Sequence, residues 1–166
     1  MRLEKVIGDI LRAQGSTLSI AESCTGGLVS DLITNVSGSS DYFEGGIVTY
    51  SNRAKIEQLG VPSTSIERYG AVSSQVAIKM AHGVRKAFHT TFGVSITGIA
   101  GPGGGSRKKP VGLVFIAVSD GKRTLVKREE MKGSRREIKR DSARQSLKYL
   151  YDFITNALCP EGALEP

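Results

Sequence analysis

Residues 20–27 read IAESCTGG, an apolar run that meets a glutamate, two hydroxyls around a thiol, and then two glycines. Ser23 or Cys24 is placed to act as a nucleophile. If a helix opens here, its first N–H groups are unpaired and carry the positive end of the helix dipole. The backbone at Cys24, Thr25, Gly26 and Gly27 could then receive the oxyanion that forms when a carbonyl is attacked. A thiol at such a mouth can ionise, which makes Cys24 a rival to Ser23. The same residues also suit a plain helix cap, with Ser23 or Thr25 accepting a backbone N–H and Cys24 turned into the core.

A serine hydroxyl needs a base. The two histidines, His82 and His89, lie in one helical segment with no partner cysteine or carboxylate, so they read as helix-surface residues and not as a base or a metal set. The alternative lies in GGIVTYSNRAK, where a β-branched stretch ends at Tyr50 and Lys55 follows. Ser51 can cap a short helix, which puts Lys55 near its start, where the dipole disfavours a cation. To act near neutral pH the lysine must fall by roughly three units from about 10.4, a cost of about 4 kcal/mol. A dipole supplies only about 0.3–1 kcal/mol, so burial must supply most of the rest. Read alone, Lys55 is equally an ordinary solvated helix lysine.

The stretch GIAGPGGGSRKKP is rich in glycine and base. It is not a P-loop, because Gly104 stands where the lysine belongs, and it is not a dinucleotide turn, because it leads into a strand. Neither ATP nor NAD is indicated, and no cofactor is expected. Glycines do allow close backbone approach to an anion; the other reading is a flexible connection.

Lys132, Arg135, Arg136, Lys139, Arg140 and Arg144 crowd the start of the last helix, and Lys108 and Lys109 add charge in the glycine loop. The chain carries 23 Lys and Arg against 16 Asp and Glu, a net charge of +7. An anionic small molecule, a nucleic acid and a solvated face are the three readings. Only 6% of residues are aromatic and no nucleic-acid motif is present, which makes nucleic acid the weakest of them.

These residues must be held by a frame. Helical spacing runs over residues 3–14, 25–36, 52–59, 74–89 and 134–156. Strands are expected at 17–21, 45–50, 93–98 and 111–119, and Asp120-Gly121 turns the last into a return strand at 124–131. SGSSDYFEGG reads as a loop, and VPSTSIERYG as a connection with room for one helical turn. The hairpin demands antiparallel pairing, so the expected fold is α/β: a single three-layer domain with a mixed sheet flanked by helices. A chain of 166 residues suits one domain, here 1–158, with 159–166 as a loose tail. Two distant cysteines, Cys24 and Cys159, make no disulfide framework. No apolar run is long enough to span a membrane, and the N-terminus mixes acids into its apolar stripe; no membrane contact is expected, and the location is expected to be cytoplasmic.

TLSIAESCTGG, GGIVTYSNRAK, YGAVSSQVA, SITGIAGPGGG and KPVG, in this order, resemble the CinA C-terminal domain family, the nicotinamide-nucleotide amidases also known as competence/damage-inducible proteins. The resemblance covers residues 3–156. It implies hydrolysis of nicotinamide mononucleotide to nicotinate mononucleotide and ammonia, and, because the chain opens directly on this region, the stand-alone form of the amidase, working as a homo-oligomer. It implies Ser23 as nucleophile, Lys55 as base and Tyr50 as an aid to proton transfer. Thr97, Gly98, Gly101, Gly103 and Gly104 would line the pocket, and Arg140 and Arg135 would hold the substrate phosphate. Two other readings stand beside it: a competence- or damage-related binding module without catalysis, and a serine hydrolase acting on another anionic amide.

Overall fold

The computed structural model describes residues 2–155. Helix α1 (Leu3–Gln14) ends on Gly15, whose left-handed φ of 60° lets its N–H turn back to the helix carbonyls. Strand β1 (Leu18–Glu22) follows and is buried along its whole length. Helix α2 (Leu28–Thr34) then carries the chain to β2 (Phe43–Val48). Three helices, α3 (Asn52–Leu59), α4 (Ser63–Tyr69) and α5 (Ser74–Phe88), lead to β3 (Phe92–Gly98). Strands β4 (Leu113–Ser119) and β5 (Thr124–Glu130) form the expected hairpin, with Asp120 Oδ1 accepting the Lys122 and Arg123 N–H groups in its turn. The long helix α6 (Arg135–Ile154) closes the described chain.

The strands form one sheet in the order β2-β1-β3-β4-β5. β2, β1 and β3 run parallel, while β4 and β5 are antiparallel to their neighbours. β1 and β3 are interior and buried on both faces; they interleave apolar residues with Ser19, Ser95 and Thr97, whose hydroxyls are hydrogen-bonded within the protein. The edge strands β2 and β5 are partly exposed. On one face α1, α2 and α6 enclose a core that includes Ile7, Leu11, Val29, Ile33, Ile138 and Leu147. On the other, Leu59 of α3, Ile66 of α4 and Val76, Met80 and Val84 of α5 pack together with Ala21 of β1. The fold is the expected three-layer α/β domain with a mixed sheet. Among the described residues no helix is long and apolar enough to cross a membrane.

Three expectations are corrected. Helix α2 starts at Leu28 and not at residue 25, because residues 23–27 form a turn. SGSSDYFEGG is more than a loop: Ser39–Asp41 make a 3-10 turn, Tyr42 is fully buried and β2 begins at Phe43. VPSTSIERYG contains a two-turn helix, α4, which buries Ile66. Cys159 and the tail at 159–166 lie outside the described residues.

Candidate active site

The three parallel strands end on the same edge of the sheet, at Glu22, Val48 and Gly98. The chain leaves β1 toward α2 in one helical layer, and leaves its neighbour β2 toward α3 in the other. Two adjacent parallel strands whose connections diverge to opposite faces leave a crevice beyond their carboxyl ends. A cavity of about 270 Å³ opens there. Ser23 and Cys24 come to it from the end of β1, Tyr50 and Lys55 from beyond β2, Thr97 and Gly98 from β3, and Arg135 from α6.

Ser23 and Lys55, 32 residues apart in sequence, meet in this crevice. Ser51 caps α3 by accepting the Ala54 N–H, which sets the phase of the helix and turns Lys55 inward. Lys55 is only 1% exposed. Its Nζ lies 3.1 Å from Ser23 Oγ and donates to the Thr49 carbonyl at 2.8 Å. Both partners are neutral oxygens, so no negative charge is bonded to the amine to offset the burial of an ammonium. Burial pulls the Lys55 pKa below the ordinary lysine value. A neutral amine here can give one N–H to Thr49 and still turn its lone pair to the Ser23 hydroxyl.

The backbone around Ser23 is arranged differently from a simple helix mouth. Glu22 is fully buried, and its carboxylate accepts the N–H groups of Gly27, Val29 and Ser30 together with the Ser30 hydroxyl, at 2.8–3.2 Å. The N-terminus of α2 is therefore already satisfied by an anion. Gly26 N–H is also engaged, with the Ser23 carbonyl at 3.2 Å. Gly26 and Gly27 are thus committed to the turn itself, Thr25 is fully buried, and of the four expected oxyanion residues only Cys24 lines the cavity. Gly26 and Gly27 have φ of 64° and 104°, which side chains rarely adopt, and this is why the turn ends on two glycines.

Cys24 is buried, and burial pushes its thiol up to about 12, against the thiolate a nucleophile needs. It packs in the core beneath α2 and α6 while touching the cavity. Thr25 does not cap α2; its hydroxyl is buried and finds no hydrogen-bond partner among the described residues. Tyr50 lies on the rim, 63% exposed, with its hydroxyl bonded to Arg135. Thr97 donates its hydroxyl to the Ala71 carbonyl and, with Gly98, Gly101, Gly103 and Gly104, lines the cavity.

A capping box, Ser134 with Glu137, fixes where α6 begins and hence which of its cations turn inward. Arg135 reaches the cavity and donates to the Gly101 carbonyl at 2.7 Å. Four residues on, Lys139 shares its side of the helix; its Nζ lies 3.5 Å from where a β-carbon on Gly26 would stand. Arg140 is not brought to the cavity: it is exposed and paired with Asp141. Asn52, Val72 and Ile99 line the cavity beyond the expected set, and Lys139, a member of the expected basic cluster, lies against the Gly26 turn. The four-residue spacing from Arg135 was the signal available for Lys139.

A three-layer α/β domain with a serine and a buried lysine facing each other in the crevice of its parallel strands is the class defined by this geometry. The model of the CinA C-terminal domain matches residues 1–154, and the chain belongs to that family. It is 52% identical over 149 residues to a putative competence-damage inducible protein of Moorella thermoacetica, covering 90% of this chain and 36% of that protein. It is 46% identical over 158 residues to a CinA-like protein of Kosmotoga olearia, covering 95% of this chain and 37% of that one. The chain thus spans little more than a third of the length of these curated relatives. Among solved structures, the competence/damage inducible protein CihA from Agrobacterium tumefaciens superposes with a TM-score of 0.89 at 40% identity, over 92% of this chain and 93% of that one.

Proposed function

We propose that the protein is a cytoplasmic amidase that hydrolyses the carboxamide of nicotinamide mononucleotide to the carboxylate, releasing ammonia. The observation that carries this reading is the buried contact between Lys55 Nζ and Ser23 Oγ. A lysine that burial holds toward its neutral form, with its one strong acceptor on the amine's N–H side, is suited to take a serine proton. Ser23 then attacks the carboxamide carbon as its proton passes to Lys55. The tetrahedral oxyanion meets the N–H group of Cys24, the residue after the nucleophile on the cavity wall. The proton on Lys55 passes to the departing nitrogen, ammonia leaves, and an acyl ester remains on Ser23. Water attacks that ester with Lys55 again as base, which regenerates the serine and releases the nicotinate product.

Arg135 and Lys139 stand on one side of the same crevice and suit a phosphate dianion. This favours a mononucleotide over a neutral amide. The test is ammonia release from nicotinamide mononucleotide by the wild type, Ser23→Ala and Cys24→Ala. Release should be lost by several orders of magnitude in Ser23→Ala and kept within a few-fold in Cys24→Ala. Loss confined to Cys24→Ala would move the nucleophile by one residue. A folded wild type that releases no ammonia would end the amidase reading in favour of a binding module or another amide.

A further inference from the structure

Arg135 does two things at the cavity mouth. Its Nη1 donates to the Gly101 carbonyl at 2.7 Å, and its Nη2 donates to the Tyr50 hydroxyl at 2.9 Å. One guanidinium thus ties α6, the glycine loop and the β2–α3 connection together. Both of these acceptors are neutral. A phosphate oxygen is a stronger acceptor, because a charge-assisted hydrogen bond is roughly twice as strong as a neutral one. An anion entering the cavity therefore competes directly for the fork that holds Tyr50.

The competition has a chemical consequence at the tyrosine. A phenol that assists proton transfer must accept a proton on its oxygen as it passes on its own. While Arg135 donates to that oxygen, a lone pair faces a cation and the hydroxyl is kept on the exposed rim. Ser23 and Lys55 lie buried within the crevice, at 8% and 1% exposure against 63% for Tyr50. The hydroxyl can serve them only after it leaves the guanidinium. Lys139, one helical turn on from Arg135 and beside the Gly26 turn, has no bond to Tyr50 and can attract an anion without this effect.

We propose that Arg135 is a specificity-determining residue that holds Tyr50 on the rim until an anionic group of the substrate takes its guanidinium, so that the anion is required for turnover as well as for binding. This rests on the amidase reading. Binding energy from a part of the substrate remote from the reacting carbon is then expressed in kcat.

The experiment compares nicotinamide mononucleotide with the nucleoside that lacks its phosphate, nicotinamide riboside, by ammonia release, with and without added phosphite dianion. In the wild type the riboside should lose about tenfold or more in kcat, and phosphite should restore part of it. Arg135→Ala should abolish the phosphite activation and bring the two substrates' kcat values together. Tyr50→Phe should slow the mononucleotide toward the riboside's rate and also remove phosphite activation. Lys139→Ala should raise KM for the mononucleotide and leave phosphite activation in place. Equal kcat for the two substrates in the wild type, or phosphite activation that survives in Tyr50→Phe, would overturn the coupling while leaving the amidase intact. No ammonia from the mononucleotide at any concentration would instead overturn the amidase reading, and the coupling with it.

Discussion

Lys55 shows how a single residue can carry both a stability cost and a function. Burying an amine disfavours its charged form, so the folded chain holds this proton less tightly than the unfolded chain does. Between the lowered folded pKa and the ordinary lysine value, the unfolded state binds more protons, and stability rises with pH across that window. Below it both states are protonated, and the folded state carries the full cost of the buried ammonium. Lys55→Met keeps the length and apolar stem and removes this cost. The variant should be inactive, yet more stable than the wild type by on the order of 1–3 kcal/mol near pH 6. Its advantage should shrink as pH rises toward about 10. Urea unfolding of both proteins across that range is the check, and a difference independent of pH would contradict it.

At the scale of elements, what was legible and what was not divides along one physical line. Patterns within one element were readable: the stripe of α5, the Ser51 cap and the Asp120-Gly121 hairpin all follow from short-range spacing. What depended on a partner elsewhere was not. The apolar spacing of residues 25–36 suggested a helix opening at Thr25, but α2 is delayed to Leu28 because a strand residue, Glu22, reaches forward to bind its first N–H groups. A period in sequence carries no trace of that reach. The meeting of Lys55 with Ser23 likewise requires β1 and β2 to be neighbours, which is set by the sheet order. The local reading raised both residues as candidates, each beside a plain structural alternative, and the family resemblance is what favoured the catalytic one. Glu22 also bears on the site through its backbone, since its carbonyl accepts the Thr49 N–H and Thr49 in turn holds Lys55. Glu22→Gln replaces one accepting oxygen with a donor among four donors. It should cost about 1–3 kcal/mol of stability from unpaired N–H groups and, by loosening the turn under Ser23, lower kcat more than it raises KM. Thermal unfolding and steady-state kinetics on the folded fraction test this, and an unchanged kcat would show that the carboxylate serves folding alone.

The whole molecule carries +7, and its charge is not spread at random around the crevice. Arg136, Arg140, Arg144 and Lys148 recur at four-residue spacing on the exposed side of α6, while Arg135 reaches the cavity and Lys139 lies against the Gly26 turn. The outer stripe is solvated and screened; under the amidase reading Arg135 is the cation that meets the ligand directly. Positive potential over a cleft raises the local concentration of an anionic substrate, and salt weakens it as the screening length falls to about 10 Å at 0.1 M. Under the amidase reading, kcat/KM for the mononucleotide should fall severalfold between about 10 mM and 200 mM salt. The riboside, a pyridinium cation without the phosphate, should show the opposite trend, its kcat/KM rising with salt as repulsion from the positive cleft is screened. Reversing the outer stripe with Arg140→Glu and Arg144→Glu should reduce the salt dependence yet leave kcat for the mononucleotide within about twofold, as expected for charges that act only through the field. Identical salt profiles for the two substrates would show that the basic surface does not serve this reaction. The stripe would then be examined against DNA, where affinity should fall steeply with salt if it is the true partner.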